Sequence, residues 1–267
     1  MLDLHNIYKT FNAGTVNEKT ALNGLNLHLN EGDFVTVIGG NGAGKSTMLN
    51  AVAGTWLVDE GKITIDDIDV TKLPEHKRAK YLGRVFQDPM TGTAATMQIE
   101  ENMALAARRG MTRSLKAGIT AKEREFYREQ LKILGLGLED RLTSKVGLLS
   151  GGQRQALTLL MATMNPPKLL LLDEHTAALD PGTAEKVLNL TKRIVEEHQL
   201  TCLMITHNMQ SALDLGNRIL MMDSGDIVLD IHEEEKKGLT VEGLLEKFKT
   251  GAGKMLDNDR ILLSGEK

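Results

Sequence analysis

The chain has 267 residues, 41% of them hydrophobic, which is enough to fill the core of one large domain or two small ones. Its 36 acidic and 32 basic residues give a net charge of -4, so global electrostatics give no reason to bind nucleic acid or an anionic membrane. A single cysteine, Cys202, excludes an internal disulfide and a thiolate metal cluster and fits a reducing compartment. No apolar run approaches the ~18 residues of a membrane-spanning helix. Residues 1–6 lack the basic and then apolar order of a secretion signal.

Short apolar runs separated by Asn and Gly predict strands at residues 2–5, 25–29 and 34–38. The third run enters a glycine-rich stretch and then a helix that ends at Gly54. A short strand is predicted at 63–65, followed by a polar connection at 66–72. The start of the chain is therefore predicted to be mainly strand, with one strand, loop and helix unit.

Between Pro89 and Gly147, Tyr127, Leu131 and Leu134 recur at helical spacing and predict a mostly helical insertion. The elements predicted after it are a helix at 153–164, a strand at 168–172, a helix at 183–198 and strands at 201–205, 218–222 and 227–230. This alternation predicts an α/β core with a parallel sheet covered on both faces. The charged tail from Ile231 is interpreted as a solvated helix end without chemistry.

The segment from Gly39 to Thr47 satisfies the phosphate-loop pattern G-x-x-x-x-G-K-[ST] between a predicted strand and a predicted helix. Its glycines let the backbone turn and aim N–H groups at phosphate oxygens, and the helix start adds the positive end of its dipole. Lys45 supplies charge at the β and γ phosphates, and the Ser46 hydroxyl can bind Mg²⁺. The alternative is a glycine-rich turn that ends by chance in Lys-Ser. The predicted nucleotide-binding residues of this loop are Gly39, Gly40, Asn41, Gly42, Ala43, Gly44, Lys45, Ser46 and Thr47.

A second segment, Leu149-Ser-Gly-Gly-Gln153, lies at the start of a predicted helix, where free N–H groups can face another phosphate. Ser-Gly-Gly by itself is also an ordinary serine N-cap. Together with the phosphate loop, however, it resembles the signature of the nucleotide-binding domain of ABC (ATP-binding cassette) ATPases, and the resemblance extends to about Asp230. The signature residues are Leu149, Ser150, Gly151, Gly152 and Gln153.

The resemblance implies an α/β, P-loop NTPase (RecA-like) core with a parallel sheet, an N-terminal antiparallel β subdomain and a helical signature subdomain. The predicted division is an ABC ATPase domain at 1–230, with its core at 1–88 and 160–230 and its helical subdomain at 89–159, followed by a C-terminal tail at 231–267. The resemblance also implies a head-to-tail dimer of two copies, in which the signature of one faces the γ-phosphate held by the phosphate loop of the other.

Two carboxylates, Asp173 and Glu174, follow a run of four leucines with the pattern of a buried strand. They resemble the Walker B motif of the family. In that case Asp173 holds the Mg²⁺ shell through water, and Glu174 polarises the attacking water as general base. An Asp-Glu pair after a strand is also a frequent helix entry.

The resemblance assigns roles to further single residues. Gln87 matches the Q-loop, which touches Mg²⁺ and the lytic water, although on the residues alone it is an ordinary turn residue. His207 resembles the switch histidine that contacts the γ-phosphate and completes the catalytic set with Glu174 and Gln87, although a lone histidine is more often structural. Asp180 resembles the D-loop, which crosses the dimer interface. Phe11 aligns with the aromatic that stacks on adenine, Tyr8 competes for this role, and a core role for either ring is the alternative.

The sequence departs from the family pattern at two positions. His175 stands where proline is common, giving Asp-Glu-His-Thr, and its simplest interpretation is a tolerated turn residue. Gly40 replaces a frequent proline in the phosphate loop. Neither change removes a phosphate or metal ligand.

The predicted function is that of the ATP-binding and ATP-hydrolysing subunit of an ABC transporter, with ATP and Mg²⁺ as cofactors, which energises solute uptake. The expected partners are a second copy, integral membrane permease subunits and, indirectly, an external solute-binding protein, and no nucleic acid is expected. The expected location is peripheral, at the cytoplasmic face of the membrane. A single unfused cassette that begins at its first strand supports an importer, and Asp-Glu-His-Thr resembles bacterial uptake cassettes thought to serve amino acids.

Two other functions compete with transport. One is a soluble ABC ATPase that acts in cofactor assembly or on nucleic acid. The acidic net charge, the lack of a second cassette and the absence of zinc-ligand cysteines stand against its nucleic-acid version. The other is a regulatory ATP-binding module without turnover, which the presence of Glu174 disfavours.

Overall fold

The computed structural model describes residues 1–111 and 118–252. The chain divides into two compact units. The first combines Met1–Arg78 with the described residues from Thr201 onward, and the second is Ala79–Leu200. None of the helices in these described ranges is long and apolar enough to cross a membrane.

The first unit contains strands and helices from both ends of the chain. Its N-terminal elements are β1 (Leu2–Phe11), β2 (Lys19–Leu29), β3 (Phe34–Gly39), α1 (Lys45–Ala53), β4 (Glu60–Ile65), β5 (Ile68–Asp69) and α2 (Glu75–Arg78). The second unit contains β6 (Leu82–Val85), α3 (Ile99–Ala107), α4 (Ala121–Lys132), the 3-10 turn Val146–Leu148, α5 (Gly151–Thr163), β7 (Leu169–Asp173) and α6 (Pro181–Glu197). The remaining elements of the first unit are β8 (Thr201–Ile205), α7 (Met209–Asp214), β9 (Arg218–Asp223), β10 (Asp226–His232), α8 (Glu233–Lys236) and α9 (Val241–Ala252).

The predicted antiparallel β subdomain is present as a four-stranded sheet in the order β2-β1-β4-β5. The sequence predicted only the apolar ends of β1 and β2, whereas the strands continue until Phe11 pairs with Lys19. These distal halves mix exposed, half-buried and buried residues and lack a clear apolar alternation. Strand pairing, which the local pattern does not show, is what extends them.

The parallel sheet of the first unit is centred on β3, which pairs in parallel with both β8 and β9. Every residue of β3 is buried, as expected for a strand with both faces covered. β10 then returns antiparallel to β9. The carboxyl ends of β3 and β8 consequently lie at one edge of the sheet.

The C-terminal region contributes to the core of the first unit, which the sequence interpretation missed. The predicted boundary at 230 falls inside β10. Helix α9 buries Leu244 and Phe248, which are 0% and 2% exposed, in a cluster with Ile38 of β3. The charged α8 has no buried residue, which agrees with the predicted solvated segment. Residues 253–267 of the predicted tail lie outside the described residues, and the three-part domain division stays a prediction.

The second unit pairs β6 and β7 in parallel and packs α3, α4 and α5 around a buried cluster that includes Tyr127 and Leu131. The helices predicted between 89 and 147 are thus confirmed as α3 and α4, while residues 112–117 of that stretch are not among the described ones. β6 was not predicted, because it has only four residues and contains Gly83. A Cβ at Gly83 would lie 2.7 Å from the carbonyl oxygen of Ala162, so close backbone packing requires glycine there.

Candidate functional site

The phosphate loop of the first unit holds its lysine inside the curve of the backbone. The Lys45 side chain is only 5% exposed, and its Nζ donates to the carbonyl oxygens of Gly39 and Gly40 at 2.8 and 3.0 Å. These bonds fix a positive charge against the loop, because a buried ammonium needs acceptors around it. The loop therefore carries the cation that a phosphate site needs.

Two glycines of this loop are required by its geometry. Gly39 and Gly44 have φ values of 147° and 103°, and a Cβ on them would lie 2.2 Å from the Met222 carbonyl oxygen and 2.6 Å from the Ala21 carbonyl oxygen, respectively. Gly40 differs, because it has no positive φ and a Cβ there would meet no atom within 4 Å. A side chain such as the family's frequent proline thus has room at position 40.

Helix α1 presents its amino end at the loop without a side-chain cap. Its N-cap residue is Gly44, which has no side chain that could accept a hydrogen bond from the first amides of α1. Ser46 is exposed on this first turn. The positive end of the helix dipole and the hydroxyl of Ser46 therefore belong to the same first turn, an arrangement suited to a phosphate and its cation.

The opposite end of α1 is held by Arg78, which the sequence analysis did not single out. Its side chain is fully buried and donates to the carbonyl oxygens of Ala51 and Val52, at 2.7 and 2.9 Å, and to two further carbonyls. Burial lowers its pKa to about 10, which leaves it charged at neutral pH. A cation at the carboxyl end of α1 complements the helix dipole.

His207 lies at the same sheet edge as the phosphate loop. Val37 of β3 pairs with Ile205 of β8, and the Thr206 amide extends this ladder by donating to the Val37 carbonyl at 3.1 Å. His207 is half-buried and follows immediately. The first unit thus brings together the predicted phosphate loop and the predicted switch histidine.

The predicted adenine-stacking aromatic, Phe11, has a partner that the sequence did not suggest. The Phe11 and Trp56 rings meet edge to face with centroids 4.8 Å apart, and Trp56 is 39% exposed. The competing candidate Tyr8 is 38% exposed, and its hydroxyl lies over Gly24. Neither Phe11 nor Tyr8 is a core residue, so the core interpretation of these rings is wrong. The position of the single tryptophan just after α1 was the only sequence signal for Trp56.

In the second unit, the predicted Walker B carboxylates and Gln87 also share a sheet edge. Asp173 ends β7, Val85 at the end of β6 pairs with Leu172, and Gln87 follows β6 as an exposed residue. Glu174 has a left-handed φ of 45° and its carbonyl accepts from the Ala177 amide at 2.9 Å. The alternative interpretation of the pair as a helix entry is wrong, because turns follow it and α6 begins only at Pro181.

His175, interpreted from the sequence as a tolerated turn residue, is instead buried, with 2% of its surface exposed. Its Nε2 lies 3.0 Å from the Thr191 hydroxyl oxygen on α6, and that hydroxyl donates to the Val187 carbonyl at 2.8 Å. Burial lowers the pKa of His175 to about 4, so the imidazole is neutral at pH 7. His175 therefore lies in a turn, as the sequence suggested, but it is a buried and hydrogen-bonded residue there.

The signature segment begins α5 with a reciprocal cap. The Ser150 hydroxyl accepts from the Gln153 amide at 3.3 Å, and the Gln153 side chain accepts from the Ser150 amide at 3.2 Å. Leu149 is buried among the helices, and a Cβ on Gly152 would lie 2.1 Å from the Thr183 methyl group. The serine N-cap interpretation is thus correct, and it is compatible with anion binding because the hydroxyl proton is not used by the cap.

Asp180 of the predicted D-loop is the N-cap of α6, and its carboxylate accepts from the Thr183 amide at 3.0 Å. Hydrogen bonds from Thr183 lower the pKa of Asp180.

Gln155, which the sequence analysis missed, is fully buried on α5 and donates from Nε2 to the Phe86 carbonyl at 3.3 Å, next to Gln87. The second unit therefore holds the residues predicted for the signature, the D-loop and the Q-loop on elements that contact one another.

Known proteins are similar to this chain over most of its length. The ABC transporter family profile matches residues 22–177. The chain is 44% identical over 248 residues to the tyrosine transport ATP-binding protein of Clostridioides difficile, covering 93% of this chain and 98% of that protein. It is 32% identical over 264 residues to the methionine import ATP-binding protein MetN of Streptococcus agalactiae, covering 94% and 70% respectively. The chain is also similar to the dimeric post-hydrolysis structure of the ATP-binding cassette MJ0796, bound to ADP and Pi, with 32% sequence identity and a TM-score of 0.74. This match covers 87% of this chain and 99% of the MJ0796 chain. The chain therefore belongs to the ABC transporter family.

Proposed function

We propose that this ABC ATPase energises the uptake of an amino acid through separate permease subunits in a membrane. The observation that carries ATP binding is the phosphate loop, in which a buried Lys45 and the uncapped start of α1 present positive charge together. The importer role and the amino acid class are supported by the relatives named for tyrosine transport and methionine import.

The proposed roles of the site residues are those that the resemblance to ABC ATPases implies. Lys45 and the loop amides bind the β and γ phosphates, and Phe11 stacks on adenine. Glu174 acts as general base on the attacking water, and His207 and Gln87 contact the γ-phosphate and the lytic water, respectively.

The residues proposed for Mg²⁺ are Ser46, Asp173 and Gln87. Among residues 1–111 and 118–252 no group of three or more His, Cys, Asp or Glu side chains could hold a metal ion. This fits Mg²⁺ rather than a caged metal, because Mg²⁺ is usually held by one or two protein oxygens together with substrate phosphates and water. When bound, the ion neutralises charge on the phosphate oxygens.

The proposed working unit is a dimer in which the signature of one copy covers the nucleotide bound to the other. The capped start of α5 at Ser150, with its remaining hydroxyl proton, supports this role. The dimeric structure of the cassette MJ0796 supports the assembly. Because ATP and ADP differ in the γ-phosphate that this surface contacts, hydrolysis can reopen the dimer.

The proposed location is the cytoplasmic face of a membrane, where the dimer binds its permease subunits and acts with an external solute-binding protein. The relatives named for tyrosine transport and methionine import support permease partners. They do not support the competing function, a soluble ABC ATPase in cofactor assembly or on nucleic acid.

ATP turnover by the full chain tests the assignment of the base. The Glu174→Gln variant is expected to bind ATP and to hydrolyse it roughly 10²- to 10⁴-fold more slowly, because a positioned general base contributes about this much. Glu185→Gln, an exposed position on α6, is the matched control and should turn over normally. An unchanged rate in Glu174→Gln would show that another group activates the water.

Transport is tested in cells that express the chain with its permease. The chain should sediment with membranes and co-purify with integral membrane proteins, and uptake of radiolabelled tyrosine or methionine should fall when Glu174→Gln replaces the wild type. Recovery only in a soluble complex, with normal uptake of both amino acids, would contradict the importer proposal.

A further inference from the structure

We infer that His175 is a positioning residue that ties the segment carrying Glu174 to α6 through the Thr191 hydroxyl. The inference rests on the proposed role of Glu174 as general base. Position 175 adjoins this residue directly, and both belong to the second unit together with α6.

The hydrogen bond between His175 and Thr191 has a defined direction. The Thr191 hydroxyl has one proton, and it donates that proton to the Val187 carbonyl at 2.8 Å within α6. Toward His175 it must therefore accept, and the imidazole must carry a proton on Nε2, 3.0 Å away. Thr191 is fully buried and His175 nearly so, which means that water does not replace this bond if it is lost.

The imidazole is the buried anchor of an otherwise exposed or half-buried connection. Of residues 174–180, which join β7 to α6, His175 alone is buried. The backbone of this stretch also makes two turn hydrogen bonds, from the Ala177 amide to Glu174 and from the Leu179 amide to Thr176. At its far end Asp180 caps α6 by accepting from the Thr183 amide. The turns and the cap shape the connection and fix its far end, and the buried imidazole adds a hydrogen bond from the residue next to Glu174 to the middle of α6.

Glu174 needs such an anchor because its backbone is strained. Its φ of 45° is uncommon for a residue with a side chain, and such conformations persist only where the surroundings hold them. On one side β7 holds the chain, and on the other side the buried imidazole does. A proline at 175 could not make this contact and would favour extended backbone at 174. The hydrogen bond of His175 therefore fixes the position of the Glu174 carboxylate in a way that a proline at 175 could not.

The decisive variant is Thr191→Val, which keeps the shape of the side chain and removes the acceptor. We expect kcat for ATP to fall about tenfold with the KM for ATP changed less than about twofold, because small displacements of a catalytic group reduce rate strongly. Thr191→Ser, which keeps the hydroxyl, should restore the rate. Thr163→Val is the matched control, since Thr163 is also buried and donates to a helix carbonyl, that of Leu159, at 2.9 Å.

A double variant shows whether the effect passes through Glu174. In the Glu174→Gln background, Thr191→Val should leave the residual rate unchanged, because there is no base left to position. A further drop in that background, or equal effects of Thr191→Val and Thr163→Val in the wild type, would overturn the inference. Full turnover in Glu174→Gln alone would instead overturn the proposed base, so the two failures are distinguishable.

Discussion

Replacing Gly44 by alanine is expected to damage the phosphate loop, whereas the same change four residues earlier, at Gly40, is expected to be tolerated. At Gly44 the φ of 103° costs an alanine about 1–2 kcal/mol. The new Cβ would also lie 2.6 Å from the Ala21 carbonyl oxygen and 3.2 Å from the Gly225 Cα, both backbone atoms that cannot rotate away. Forced overpacking of this kind costs roughly 1–3 kcal/mol. Together with the backbone cost, Gly44→Ala should lower the free energy of unfolding by about 3 kcal/mol.

Urea unfolding of the full chain measures this penalty directly. The free energy of unfolding of Gly40→Ala is expected to lie within about 0.5 kcal/mol of the wild-type value. If the loop shifts to relieve the overlap, part of the penalty will appear as weaker ATP binding, at tenfold in Kd for each 1.4 kcal/mol. ATP titrations in the Glu174→Gln background, where turnover is slow, measure that part. Equal behaviour of Gly44→Ala and Gly40→Ala in both assays would refute the described loop geometry.

Three further outcomes are expected. ATP should change the emission of Trp56, the single tryptophan of the chain, and Phe11→Ala should remove most of this change; an unaltered wild-type spectrum at saturating ATP would count against Phe11 as the adenine platform. Arg78→Met should lower the free energy of unfolding by about 3 kcal/mol, because it leaves buried carbonyls at the end of α1 without their donor. Arg128→Met, at a half-buried position with an ion pair to Glu125, should lower it by less than ~0.5 kcal/mol. Phe248→Ala should lower the free energy of unfolding in urea by about 3–5 kcal/mol, because it removes a buried aromatic ring. A decrease of less than ~1 kcal/mol would show that α9 does not pack in the core of the first unit.

The family and the fold class could be predicted from the sequence, and the comparisons confirm both. The phosphate loop has a left-handed glycine before α1, as its pattern predicted. The serine cap before α5, which the sequence offered as the alternative to the signature interpretation, is also present. The roles of individual site residues stay predictions. Strand lengths were less predictable, because β1 and β2 are extended by pairing with each other through residues without a clear apolar alternation. The local sequence pattern does not show which strand is the pairing partner.

What the sequence determined by itself is local: which contiguous residues can turn tightly, begin a helix and present amides to phosphate. Glycine φ values and N-caps depend on neighbours within a few positions, and these neighbours can be read directly from the amino-acid sequence. What only the tertiary structure decided are contacts between distant positions: His175 with Thr191, Arg78 with the end of α1, and Trp56 with Phe11. Whether such a side chain is solvated or buried and bonded depends on which surfaces the fold brings against it, because burial removes the water that would otherwise satisfy its polar atoms.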